Sequence, residues 1–149
     1  MEIDLIPMTE KDRAFFRQAH HVAYRKVIES MFGWDEKMQD MAADRDFDGR
    51  SPHIIRWDGN DVGVIGWQDK NEYIWFGPIF ILPPYQSKGI GTALIMKFMK
   101  MATDSSKTLK LQTLKENTRA KKLYEGLGFT VASSDEIHWQ LTYGAKEND

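Results

Sequence analysis

The sequence predicts an α/β fold with the element order β-α-α-β-β-β-α-β-α-β-β. The sheet is mixed and mostly antiparallel, flanked by helices, with a splayed pair of strands at its centre. Three observations predict this. Strand-rich residues stand at both ends of the chain and cluster between His53 and Ile81, with helical periodicity between the groups. Two short turn signals join the clustered strands as hairpins. Pro78, behind Gly77, interrupts the longest strand, and a residue without an N–H breaks or bends a ladder.

The elements follow in order. Ile3 to Ile6 alternates with Glu2 and Asp4 as a first strand. Thr9, with Asp12 three residues on, reads as the N-cap of a helix that runs to about Met31 and stops at Gly33. A second helix spans Asp35 to about Arg45. Its acids, Asp35, Glu36, Asp40 and Asp44, with Asp46 and Asp48 beyond, read as a solvated face. HIIRW, VGVIGW and EYIWFGPIFI are rich in β-branched and aromatic residues, and DGND and DKNE turn between them. A third helix starts at about Gly89, where Ile90, Leu94, Phe98 and Met101 recur at a spacing that seats a helix on a sheet. Thr108 to Thr113 alternates as a strand. Asn117 opens a fourth helix, which Gly128 ends after Leu127. Phe129 to Ala132 and Ile137 to Tyr143 complete the sheet.

The length of 149 residues suits one domain, expected over 1–144, with a polar tail at 145–149. A formal net charge of -2 gives no basic stripe for nucleic acid. With no cysteine there is no disulfide, thiol nucleophile or thiolate metal ligand, which fits a cytoplasmic protein. MEIDLIPMTEKDR lacks the features of a signal peptide, and no apolar run approaches the ~20 residues of a membrane helix. Four scattered histidines without H-E-x-x-H spacing suggest no metal site.

The informative stretch is Gln86-Ser87-Lys88-Gly89-Ile90-Gly91, set between the long strand and a helix. Helix starts expose unpaired N–H groups at the positive end of the dipole and favour anions. Gly89 and Gly91 let a ligand approach the backbone, successive N–H groups can form a nest for phosphate oxygens, and Lys88 adds a positive charge. It is neither a Walker loop nor a Rossmann fingerprint. Taken alone, it is equally well a tight strand-to-helix turn. Pro78 adds a second feature, because a ladder failing there would leave Ile79, Phe80 and Ile81 free to pair with an amide-bearing ligand. A long amide arm ending in a pyrophosphate would satisfy both, and coenzyme A has that shape.

Here the sequence resembles the GCN5-related N-acetyltransferase (GNAT) superfamily. Gln86, Gly89 and Gly91 match the family's Gln/Arg-x-x-Gly-x-Gly/Ala motif. ENTRAKKLYEGLGF, Glu116 to Phe129, resembles its second motif, an Asn-capped helix with a tyrosine before Gly-Phe. The resemblance spans nearly the whole chain and implies acetyl transfer from acetyl-CoA to a primary amine of a small molecule or peptide. It assigns the cofactor pyrophosphate to the backbone of Gln86, Ser87, Lys88, Gly89, Ile90, Gly91 and Thr92. Ile79, Phe80 and Ile81 would pair with the pantetheine amides, Ile81 also polarising the thioester carbonyl. Asn117 would contact the cofactor arm, and Tyr124 would contact the cofactor and act as general acid on the departing thiolate.

The base stays open. Some relatives place a glutamate near the position of Trp75; Glu72 lies on the opposite strand face, and His20 and His21 on the first helix are alternatives, as is a water relay. Among acceptor-side candidates His21, Tyr24 and Trp75 stand first, with Phe32 and Trp34 as further aromatic walls and the neighbouring acids attracting a cation. Tyr124 also has a packing role open to it, in an apolar stripe with Ala120, Leu123 and Leu127. A non-catalytic acyl-CoA-binding or sensing module is the alternative function. Homodimers recur in the family, and the resemblance carries that expectation.

Overall fold

The structure is a computed structural model, in which residues 1–144 are described; the expected polar tail lies outside them. The elements are β1 Ile3–Pro7, α1 Arg13–Phe32, α2 Glu36–Gly49, β2 His53–Trp57, β3 Asn60–Asp69 and β4 Tyr73–Ile81. They continue as α3 Ile90–Asp104, β5 Thr108–Leu114, α4 Thr118–Gly126, β6 Thr130–Ser134 and β7 His138–Tyr143. The hydrogen-bonded strand order is β1-β2-β3-β4-β5-β7-β6. β4 and β5 pair in parallel, whereas β1·β2, β2·β3, β5·β7 and β6·β7 are antiparallel. This is the mixed sheet and element order that the sequence predicts. By packing, the chain divides into two compact units: Met1–Gln68 with Pro78–Ala93, and Asp69–Gly77 with Leu94 onward.

In the first unit, Asp58 and Gly59 take φ of 52° and 76°, the left-handed pair a two-residue hairpin needs. Thr9 caps where expected, its N–H donating to the Asp12 carboxylate at 2.9 Å. It caps a single 3-10 turn, Glu10–Asp12, and the α-helix proper begins at Arg13. Gly33, at φ 78°, ends α1. Asp35 caps α2 by accepting from the Met38 N–H at 3.1 Å.

α2 runs past the expected end at Arg45 because Phe47 is buried against Phe16, ring centroids 5.6 Å apart and edge to face. Burying such a ring contributes about 2–3 kcal/mol, enough to carry the last turn. The core here is Phe16, Ala19, Ala43, Phe47, Val64 and Phe80. The acidic run is a solvated face only in part: Asp35, Glu36 and Asp48 are exposed, whereas Asp44 is half-buried. Asp44 accepts from Arg17 Nη2 at 2.7 Å and Arg13 Nη1 at 3.2 Å, and Asp48 accepts from Arg13 Nη2 at 2.8 Å. Arg13 and Arg17, one turn apart on α1, thus make Asp44 and Asp48 part of a seam between the two helices.

In the second unit Ile74, Phe76, Leu94, Ile95, Phe98, Leu109, Leu111, Phe129 and Leu141 are buried, with Phe76 and Phe98 rings 4.8 Å apart. Met101 does not help seat α3: it is 38% exposed, and Ala102 takes the inward place. The row that faces inward advances by four residues, from Ile90 through Leu94 and Phe98 to Ala102. The parallel ladder covers only Tyr73–Trp75 against Thr108–Lys110. It stops ahead of Gly77, at φ 126°, and Pro78. Asn117 caps α4, its side-chain oxygen accepting from the Ala120 N–H at 3.0 Å. Among the described residues no helix is long and apolar enough to cross a membrane.

Candidate functional site

The glycine turn belongs to the first unit. After a short 3-10 turn at Pro83–Tyr85, Ser87 and Gly89 take φ of 63° and 87°. A left-handed serine costs about 1 kcal/mol or more, a strain that gathers at ligand-binding turns. The first bond of α3 runs from the Ala93 N–H to the Gly89 carbonyl at 3.0 Å. The N–H groups of Ile90, Gly91 and Thr92 therefore have no intrahelical partner and stand at the positive end of the helix. Gly91 has no positive φ, and nothing lies within 4 Å of where its Cβ would be. The fold does not require glycine there; open space in front of the backbone is what a ligand would use. The Gln86 side chain has an internal partner, Nε2 donating to the Ile81 carbonyl at 2.9 Å. It ties the turn to the end of β4. Lys88 is exposed.

The end of β4 has a defined orientation. The Leu82 N–H donates to the Val62 carbonyl at 2.9 Å. Main-chain groups alternate in direction along a strand, so Phe80 and Leu82 turn theirs toward β3, and Ile79 and Ile81 turn theirs away. Gly63 makes this approach feasible: a Cβ there would lie 2.2 Å from the Phe80 carbonyl oxygen. The Phe80 ring itself is part of the core. Of the three residues expected to meet the cofactor amides, Ile79 and Ile81 are thus the ones aimed outward.

In the second unit Tyr124 is 8% exposed, with its ring 5.7 Å from that of Phe129. Its hydroxyl has no hydrogen-bond partner among the described residues. Burial pushes its pKa up to about 12, so the phenol stays protonated near neutrality. A buried hydroxyl left unpaired costs about 1–3 kcal/mol, a cost that a ligand atom can remove. Leu123, in the same expected stripe, is 38% exposed, so the stripe packs only in part. Trp75 lines an open groove of about 340 Å³ with Lys110, Ser133, Gln140 and Thr142. The sequence reading missed Lys110 and Gln140. Both alternate with buried leucines, Lys110 between Leu109 and Leu111, and Gln140 before Leu141, which was the available signal.

Returning to the first unit, His20 is only 3% exposed, and its Nδ1 stands 3.0 Å from Nδ1 of His21. His21 Nε2 is 2.7 Å from Asp40 Oδ1 and 3.4 Å from Glu36 Oε2. The Tyr24 ring lies 4.9 Å from His20 and 5.6 Å from Phe80. Trp34 meets His21 edge to face at 5.1 Å, whereas Phe32 is 59% exposed and forms no wall.

Burial, helped by the charge of His21, pushes the His20 pKa down from 6.5 to about 4. Between those values the unfolded chain holds the extra proton, so stability rises with pH and is complete above about 6.5. Falling from there to pH 4 should remove about 3 kcal/mol through His20. Asp44, held low by hydrogen bonds from Arg17 and Arg13, contributes stability above its unfolded pKa and loses it as pH falls through its lower folded value. Urea unfolding at pH 7, 5 and 4 checks this; His20→Gln should flatten the upper part, and a flat wild-type profile would contradict it.

The Acetyltransferase (GNAT) family model matches residues 14–129. A stretch of 63 residues, 42% of this chain, is 36% identical to bovine thialysine N-epsilon-acetyltransferase and spans 36% of that protein. In overall fold the chain is similar to PaiA N-acetyltransferase from Thermoplasma acidophilum in complex with coenzyme A. The TM-score is 0.71 at 13% identity, covering 97% of this chain and 99% of that one. PH1933 from Pyrococcus horikoshii gives a TM-score of 0.75 at 16% identity, covering 98% and 100%. With a family match over most of its length and this fold, the chain belongs to the GNAT family of acetyltransferases.

Proposed function

We propose that the chain moves an acetyl group from acetyl-CoA to a primary amine of a small molecule or peptide by direct attack. The observation that carries this is the turn at 86–92, with unpaired helix-start amides behind a Gly91 whose missing side chain leaves open space. Those amides and Lys88 hold the pyrophosphate. The outward main chain of Ile79 and Ile81 meets the pantetheine arm, and the Ile81 N–H stabilises negative charge on the carbonyl oxygen. Asn117 spends its oxygen on the α4 cap, leaving its amide NH2 for the arm. Bound acetyl-CoA supplies an activated thioester carbonyl with a thiolate leaving group. Tyr124 offers that sulfur the one buried hydroxyl described above.

The acceptor class is an amine on an apolar arm, in keeping with Tyr24 beside His20 and with the name of the bovine relative. Isothermal calorimetry should detect acetyl-CoA binding. Gly91→Leu should lower the affinity tenfold or more while the urea midpoint stays in place. No binding heat, or full affinity in Gly91→Leu, would overturn the cofactor assignment. Thiol release on adding thialysine or other primary amines separates an enzyme from a module that only binds acyl-CoA.

A further inference from the structure

We infer that His20 is the base that takes the acceptor's proton and that His21 and Asp40 hold the resulting charge; this rests on the acetyl-transfer reading above. With His21 neutral, two hydrogen bonds decide where the protons sit. A carboxylate has none to give, so Asp40 Oδ1, at 2.7 Å, accepts from His21 Nε2. A neutral His21 then carries its lone pair on Nδ1. The His20 Nδ1, 3.0 Å away, must donate to it. That leaves the lone pair of neutral His20 on Nε2, an atom with no hydrogen-bond partner among the described residues although the side chain is 3% exposed. A buried, unpaired acceptor of fixed tautomer is an unusual thing to keep without a use.

Its surroundings fit an acceptor amine. The His20 ring is edge-on to Phe80 with centroids 5.8 Å apart, and Phe80 lies between the two residues assigned to the cofactor arm. Tyr24 covers another side. The titratable and charged groups around it are His21 and Tyr24 on α1 and Asp40 and Glu36 on α2, with Arg17 acting on Asp40. From β4 it meets the uncharged Phe80.

The ammonium form of the acceptor gives one proton to His20 Nε2, and its nitrogen keeps the electron pair that attacks the carbonyl. As the C–S bond breaks, the thiolate leaves with that bond's electron pair and takes the second proton from the same nitrogen. His20 passes its Nδ1 proton to His21 Nδ1. The positive charge then rests on His21, beside Asp40 and Glu36. After the product leaves, the proton returns along the same bond and departs from Nε2 to water, restoring the starting tautomers. The second ring matters because burial penalises a charge kept on His20 itself. A carboxylate orienting a histidine is a recurring device of acid–base sites, here extended by one imidazole.

Nitrogen-15 NMR of histidine-labelled protein at neutral pH should find the His20 proton on Nδ1 and the His21 proton on Nε2. The opposite tautomers would overturn the inference. His20→Gln should lower turnover of thialysine, or of whichever primary amine in a panel reacts, about a hundredfold or more, with acetyl-CoA affinity by calorimetry unchanged. Asp40→Asn keeps the shape and serves even where His20→Gln folds poorly. With the charge on His21 less well held, the acid limb of its kcat profile should move to lower pH. Wild-type turnover in His20→Gln or an unmoved limb in Asp40→Asn would overturn the role. Acetyl-CoA binding with no amine acetylated would do the same. Failure to bind acetyl-CoA would instead remove the cofactor reading, leaving the tautomers to judge the chain.

Discussion

Gly63→Ala is expected to lose about 3–5 kcal/mol of stability, among the largest effects of any one-methyl change in this chain. The added Cβ would lie 2.2 Å from the Phe80 carbonyl oxygen and 3.1 Å from the Ile81 Cα. Both are backbone atoms, so no side-chain rotation relieves the clash, and β3 must draw back from β4. The segment displaced is the one proposed to meet the cofactor arm. Urea unfolding should give a much lower midpoint, and acetyl-CoA affinity should fall in whatever fraction remains folded. An unmoved midpoint would mean that the two strands are not as close as described.

Tyr124→Phe is expected to lower turnover about a hundredfold while leaving acetyl-CoA affinity almost unchanged. With the phenol pushed up to about 12, complete transfer to a thiolate of ordinary pKa near 8.5 would be uphill by about 5 kcal/mol. Tyr124 therefore works mainly by a hydrogen bond that strengthens as charge gathers on sulfur, which sets the effect at the lower end of acid catalysis. Stability gives an independent reading. Deleting a buried hydroxyl that has no partner among the described residues should leave stability unchanged or raise it by about 1 kcal/mol. Unchanged turnover would remove Tyr124 from the chemistry.

The parts legible in the sequence are those that local physics decides. Asp58-Gly59 needs left-handed backbone, Thr9 and Asn117 cap helical turns, and Pro78 ends a ladder; each signal acts within a few residues. What escaped depends on distant partners. α2 reaches Gly49 because Phe47 finds Phe16, and Asp44 is drawn out of the solvent by Arg13 and Arg17. Met101 faces out because the inward row steps by four. In the glycine turn only Gly89 answers to a local backbone requirement, its φ of 87°, whereas nothing in the fold asks for glycine at Gly91. The pairing of His20 with His21 was not readable, since adjacent helical residues point about 100° apart and only the pull of Asp40 from α2 shows how their rings meet.

Phe80 closes a core whose other members end at Val64. As the polypeptide leaves the ribosome, Val64 must therefore wait about 1 to 3 s for that last ring, Phe47 about 2 to 7 s and Phe16 about 3 to 13 s at ordinary translation speeds. Throughout that interval greasy surface is uncovered, and a chaperone that recognises such surface has its opening there rather than later in synthesis.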